Sequence, residues 1–206
     1  MKETLDKISN LYSDNFKRHG DQSEAVGWST KHCQQLRFEK LTQSILDKDT
    51  SCSINDYGCG YGAHLEYLLK EKYLVSCYNG YDLSEEMLIS SKERLKDFDG
   101  EVNLIKSSDI STMADFTFVS GTFNVRFESS YDRWKKFIEE TLTRINEFSK
   151  LGFSFNLLSK YVDWEEAHLF YGDPCYWFDY CKNSFSKQVS LLHDYPLYEW
   201  TILVRK

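Results

Sequence analysis

The residues best equipped for chemistry lie between positions 56 and 82. Asp56-Tyr57-Gly58-Cys59-Gly60-Tyr61-Gly62 closes one apolar run and opens a helical one. A strand that ends in Asp-x-Gly-x-Gly-x-Gly and passes at once into a helix lets the backbone approach a ligand where any Cβ would collide. About twenty residues on, Asp82 closes the next apolar run, placed to accept hydrogen bonds from both hydroxyls of a ribose. The pair implies a nucleoside-bearing cofactor.

Gly58, Gly60 and Ala63 also satisfy the dinucleotide fingerprint, so the glycines alone do not separate a nicotinamide cofactor from S-adenosylmethionine. Asp56 discriminates, because a carboxylate at the mouth of the loop repels a pyrophosphate and attracts an ammonium. The motif also begins past residue 50, and the tail after the fifth strand holds no separate substrate domain. Charge therefore favours S-adenosylmethionine, with a nicotinamide-dependent reductase as the alternative.

The elements that must position these residues follow from periodicity. Leu5, Ile8 and Tyr12 predict an amphipathic helix ended by Gly20, and a second helix is expected from Ser29 through Leu36, Leu41 and Ile45. From Ser53 onward, short apolar runs alternate with helical stripes, as parallel βαβ units do. Strands are expected over 53–58, 74–82, 102–105, 115–121 and 152–159. Helices are expected between them: one with Leu65, Leu68 and Leu69 in a stripe, one from Ser84 to Leu95, and one through Trp134, Ile138, Leu142 and Ile145. The last two β-rich runs are joined by a corner at Pro196-Leu197 too short for a helical crossover, which predicts an antiparallel hairpin.

Composition narrows the function. The net charge of -7 argues against nucleic acid as partner, because a phosphate track needs clustered cations. The six cysteines show no metal-ligand spacing, and His19, His32, His64 and His168 no partner spacing, so no metal is expected. No stretch reads as a signal peptide or a membrane span, which predicts a soluble, cytoplasmic protein.

On the motifs DYGCGYG and GYDLSEEM, 80–87, the chain resembles the class I S-adenosylmethionine-dependent methyltransferases over most of its length. The resemblance implies an α/β, three-layer Rossmann-like fold with a mostly parallel seven-stranded sheet in order 3-2-1-4-5-7-6, the last strand antiparallel. It implies one domain over 1–206, with 1–48 as an N-terminal helical cap and 49–206 as the core with its C-terminal hairpin. Asp56, Tyr57, Gly58, Cys59, Gly60 and Gly62 would form the cofactor loop and Asp82 would hold the ribose. Leu83 and Met87 would flank the adenine, Asp109 and Ile110 would contact its edge and face, and Ser120 and Gly121 would border the methyl donor. The segment 27–38 is similar to an N-terminal helix of some small bacterial members, which would set Trp28 and Arg37 over the methionine end, Arg37 pairing its carboxylate.

The acceptor is less legible. The chain reads Ser120-Gly121-Thr122-Phe123-Asn124 where base-methylating branches carry an Asn or Asp followed by Pro-Pro and an aromatic, which argues against a nucleobase amine. Phe123, Asn124, Asn156, Tyr171 and Trp177 are candidates for the acceptor pocket, with Asp173 and Tyr176 in the same aromatic segment as Tyr171. His193, in a polar interruption beside the hairpin, is the candidate general base. The expected activity is methyl transfer from S-adenosylmethionine to a small-molecule acceptor by in-line displacement, yielding S-adenosylhomocysteine. The alternatives are a non-catalytic binding scaffold on the same fold and a protein methyltransferase.

Overall fold

The computed structural model describes residues 1–20 and 30–206. Two helices precede the sheet. Lys2–His19 (α1) ends where the Gly20 N–H donates to Phe16 O at 2.7 Å. Lys31–Thr42 (α2) starts on Thr30, whose hydroxyl accepts the Cys33 N–H as an N-cap should. Trp28 and Ser29 lie outside the described residues.

The alternating segment builds Cys52–Tyr57 (β1), Ala63–Lys70 (α3), Val75–Asp82 (β2), Glu85–Arg94 (α4), Glu101–Lys106 (β3), Ala114–Val119 (β4), Tyr131–Glu147 (α5) and Ser149–Ser159 (β5). Then come Tyr171–Gly172 (β6), Pro174–Ser184 (α6), Gln188–Leu192 (β7) and Glu199–Arg205 (β8). The sheet runs β3-β2-β1-β4-β5-β8-β7, with β6 paired to the end of β5 off that path. Strands β1 to β5 are parallel neighbours, and β8 is antiparallel to both β5 and β7. The seven long strands thus take the order that the family resemblance implies. The two-residue β6 is an addition, too short for any alternation to register.

Apolar clusters cover both faces. Ile54, Phe116 and Phe118 pack with Leu41 of α2, Leu65 and Leu68 of α3 and Leu88 of α4. On the other side Phe153, Phe155 and Leu157 pack with Trp134, Ile138 and Leu142 of α5 and with Trp177 and Cys181 of α6. Parallel sheets need this double cover, since both faces are otherwise open to water.

One polar line crosses the first three strands. Asn55, Asn79 and Asn103 stand at paired positions of β1, β2 and β3. Asn79 Nδ2 donates to Asn55 Oδ1 at 3.0 Å, Asn103 Nδ2 to Asn79 Oδ1 at 3.0 Å, and Asn55 Nδ2 to Thr112 O at 2.8 Å.

Candidate functional site

Parallel strands place their C-terminal ends on one side, and there β1, β2 and β4 open a cavity of about 1010 Å³, its mouth included. Asp56 pairs in register with Gly80 on β2 and with Phe118 on β4, so the glycine loop leaves the sheet at the level where β2 ends in Asp82. The loop is closed onto β2 by the Gly58 and Cys59 N–H groups, which donate to Tyr81 O at 2.8 and 2.9 Å. Asp82 Oδ2 accepts the Gly60 N–H at 2.9 Å and Oδ1 accepts the Ser84 N–H at 2.8 Å. Asp82 therefore both ties the loop and starts α4, and each oxygen keeps a lone pair for a ligand.

Asp56 is 2% exposed, and its Oδ2 accepts the Tyr78 hydroxyl at 2.7 Å. Burial pushes its carboxyl up to about 7, against the lowering by Tyr78, and the nearby Asp82 charge pushes the same way. The folded chain thus holds this proton more tightly than the unfolded chain, where an aspartate titrates near its ordinary value of about 3.9. Between those two values stability falls as pH rises, and above about 7 the loss is complete. Asp56→Asn, which can still accept from Tyr78, should therefore raise the melting temperature of the ligand-free protein more at pH 8 than at pH 5. The expected difference is at least about 3 °C, read by calorimetry; an equal gain at both values would show that Asp56 is not held in this way.

The far wall is the turn after β4. Ser120, Gly121, Thr122 and Phe123 line the cavity, with Thr122 Oγ1 donating to Tyr57 O at 2.8 Å and Trp134 Nε1 donating to Phe123 O at 2.8 Å. Trp134 and Phe137 of α5 complete an aromatic side. At the other end Ser107 and Ser108 line the cavity, and Tyr57 donates its hydroxyl to Ser108 O at 2.7 Å.

Helix α1 lies over the mouth. Ser9 Oγ donates to Leu83 O at 3.0 Å, Ser13 meets Ser84 Oγ and Glu86 at 2.8 Å each, and Lys17 pairs with Glu86 at 3.3 Å. These contacts turn Leu5, Ile8, Ser9 and Tyr12 into the cavity wall. Burial, helped by the charge of Asp82, pushes the Tyr12 phenol up to about 12.

His64 also lines the cavity, stacked on Phe38 at 4.4 Å and buried to 2% exposure, which pushes its imidazole down to about 3. The ring is therefore neutral near pH 7. Thr42 directs its hydroxyl hydrogen to Phe38 O, so its Oγ1 accepts from His64 Nε2–H at 3.3 Å and the Nδ1 lone pair finds no partner among the described residues. Read from sequence as structural or exposed, this histidine is instead part of the wall.

Of the residues singled out in the sequence, Asp56, Tyr57, Gly58, Cys59, Gly60, Asp82, Leu83, Met87, Ser120, Gly121 and Phe123 all line the cavity, while Gly62 starts α3 beside it with φ 81°. Arg37 does not line it: its Nε sits 2.5 Å from Glu199, in a buried ion pair under α2. Asp109 is exposed and pairs with Arg144, and Ile110 is buried in the core, so Ser107 and Ser108 take the wall position expected of them.

The acceptor candidates scatter. Asn124 and Asn156 spend their side chains inside the fold, on the Leu158 N–H and on Gly121 and Glu199. Trp177 is core, and Tyr171 begins β6 and accepts the Glu166 N–H on its hydroxyl. Asp173 caps α6, and Tyr176 donates to Glu139. His193 is exposed and stacks on Tyr161, away from the cavity wall.

No metal-holding group of His, Cys, Asp or Glu occurs among the described residues, and no described helix is long and apolar enough to cross a membrane.

No family model matches the chain. It is 48% identical over 166 residues to "Putative methyltransferase Rv1506c" of Mycobacterium tuberculosis, an alignment covering 79% of this chain and 98% of the relative. Among solved structures it superposes on the magnesium protoporphyrin IX methyltransferase ChlM of Synechocystis PCC 6803 with bound SAM, with a TM-score of 0.68, 14% identity and coverage of 100% and 96% of the two chains. The DhpI-SAM-HEP complex gives 0.70 at 11% identity over 98% of each chain. The plantazolicin methyltransferase BpumL in complex with SAH gives 0.59 at 14% identity over 100% and 98%. At such identities the structures speak for the fold, and the 48% relative speaks for the family. The chain belongs to the class I, Rossmann-like methyltransferase family.

Proposed function

We propose that the cavity binds S-adenosylmethionine and that the chain transfers its methyl group to a small-molecule acceptor. One observation carries the choice of cofactor. Two carboxylates, Asp56 and Asp82, face a glycine cradle whose described lining residues include no lysine or arginine. Carboxyl groups with no cation beside them give a pyrophosphate nothing to pair with and suit a ligand that brings hydroxyls and a positive charge, which would in turn favour the ionised form of Asp56. The Ser120 hydroxyl, buried in the wall without a hydrogen-bond partner among the described residues, supports a polar ligand in the same place.

In this reading Asp82 accepts the ribose hydroxyls, Asp56 takes the ammonium, and Leu83 and Met87 flank the adenine near Ser107 and Ser108. When bound, the sulfonium supplies an activated methyl, which an acceptor lone pair takes in line as the carbon–sulfur bond breaks and S-adenosylhomocysteine leaves. The protein's part is to hold and to exclude water. Apolar Leu5, Ile8, Phe123, Trp134 and Phe137 wall the side of the cavity next to the β4 turn, and α1 closes it. That apolar side favours a small acceptor with an apolar body.

Thermal unfolding with S-adenosylmethionine, S-adenosylhomocysteine and NADH at millimolar concentration tests this. A ligand at about 100 times its Kd adds roughly 2.7 kcal/mol, which for a chain of this size raises Tm by about 5–10 °C. The two adenosyl compounds alone are expected to do so. A shift with NADH alone would favour a dinucleotide, and no shift with any would favour a scaffold.

A further inference from the structure

The buried charge pair beneath the cavity has no part in holding the cofactor as read above, yet it is wired to the cavity wall. Asn156 of β5 is fully buried; its Oδ1 accepts the Gly121 N–H at 2.7 Å and its Nδ2 donates to Glu199 Oε2 at 2.7 Å. Glu199, fully buried at the start of β8, meets Arg37 Nε at 2.5 Å through its other oxygen. The chain of contacts runs from α2 through β8 and β5 to the turn that lines the cavity.

Its polarity is fixed by charge. An ionised carboxylate only accepts hydrogen bonds, so Asn156 must turn its NH2 toward Glu199 and its carbonyl toward Gly121. Burial pushes the Glu199 carboxyl up to about 7, with Arg37 and Asn156 opposing that shift, so the acceptor is ionised above that value. Without the charge the amide could flip and present NH2 to the Gly121 N–H, two donors face to face. Gly121 sits at φ 70°, in the left-handed region, and its carbonyl accepts the Asn124 N–H at 3.2 Å. With Thr122 held to Tyr57 and Phe123 to Trp134, the turn is pinned at each residue from Gly121 to Phe123.

We propose that Asn156, oriented by the buried Arg37–Glu199 pair, is a positioning residue that holds the Gly121 turn in the geometry the cavity's ligand requires. The positioning role rests on the cofactor reading above; the hold on Gly121 does not.

Amide exchange on the full chain tests it. Ser120-Gly121 is the only Ser-Gly pair and Cys59-Gly60 the only Cys-Gly pair, so labelling serine or cysteine carbonyls with glycine nitrogens assigns both amides. In Glu199→Gln and in Asn156→Ala, Gly121 protection is expected to fall about tenfold or more, as loss of one hydrogen bond near a charge would give, with Gly60 nearly unchanged. The affinity for S-adenosylhomocysteine should weaken about tenfold in Glu199→Gln, the same energetic loss read in binding.

The double variant Arg37→Met/Glu199→Leu separates positioning from stability. Removing both charges should restore the melting temperature lost by Glu199→Leu alone, while Gly121 protection returns only in part, because Asn156 keeps its carbonyl toward Gly121 but has lost the acceptor that anchors its NH2. Unchanged Gly121 protection in Glu199→Gln, its full return in the double variant, or normal ligand affinity with the turn loosened would each overturn the proposal. If Asn156→Ala fails to fold, Glu199→Gln and the double variant decide. If S-adenosylhomocysteine moves neither glycine signal in the unaltered protein, the cofactor reading has failed, and with it the positioning role, while the exchange data still judge the hold.

Discussion

Asp82→Ala is expected to weaken S-adenosylhomocysteine binding by about 100-fold or more while leaving a folded protein. The size follows from what the carboxylate does. It is the acceptor expected for the ribose hydroxyls, and hydrogen bonds to a charged group contribute roughly 1.5–3 kcal/mol each. It also accepts the Gly60 and Ser84 N–H groups, so alanine frees one end of the glycine loop and the start of α4. Asp82→Asn tells these roles apart: its single carbonyl can keep one backbone N–H, and its NH2 faces the other as a second donor. Its affinity should fall between those of the native and alanine proteins. Calorimetric titration beside a melting curve measures both, and an Asp82→Ala protein that binds within threefold of the native one would remove the ribose from this position.

Gly58→Ala should be among the most damaging single methyls in the molecule, beside Gly152→Ala, whose Cβ would meet the Val204 carbonyl oxygen at 2.3 Å. Gly58 has φ 82°, where a side chain strains the backbone by about 1–2 kcal/mol. The added Cβ would also fall 2.2 Å from Thr122 Oγ1 and 2.8 Å from its Cγ2. Thr122 cannot yield without giving up its bond to Tyr57 O, the link between the loop and the turn after β4. A forced repacking adds about 1–3 kcal/mol, so the midpoint of urea unfolding should drop and ligand stabilisation should vanish. Thr122→Gly in the same chain removes the clash and leaves the strain; about half of the lost stability should then return. No recovery would mean that strain alone carries the effect.

The loop was legible because its chemistry is local. Asp56, Gly58, Gly60 and Asp82 occupy strand ends, and parallel strands bring consecutive strand ends together whatever the rest of the chain does. Leu83, Met87, Ser120 and Gly121 follow for the same reason. Helix α1 was legible as a helix and illegible as a wall: the stripe Leu5, Ile8, Tyr12 says that one face is buried and not against what. Its seat is fixed by Ser9, Ser13 and Lys17 meeting residues some seventy positions away, a register no local period encodes. Arg37 shows the opposite failure. A cation on an N-terminal helix suggested an anionic ligand group, but Glu199 lies 162 positions downstream and claims it inside the fold. The aromatic segment from Tyr171 to Tyr180 misled in the same way, because a ring-rich stretch reads alike whether it lines a cavity or, as Trp177 does, fills the core.

The line of three asparagines bears on how the chain finds its register. Parallel strands joined by helices have no tight turn to set their alignment, and Val, Ile, Leu and Tyr side chains tolerate a shift of two residues with modest loss. Amides do not. A two-residue slip of β2 against β1 would set Asn55 against Cys77 or Tyr81 and Asn79 against Ser53 or Tyr57, breaking the amide–amide bond, and each buried polar group left unsatisfied would cost about 1–3 kcal/mol. The correct alignment is thereby selected over its near copies as the sheet assembles, and it is that alignment which sets Asp82 level with the glycine loop. Asn55 and Asn79 are buried in the sheet and, like the half-buried Asn103, line no part of the cavity, yet the three act as a proofreading mark for the place where the two carboxylates meet.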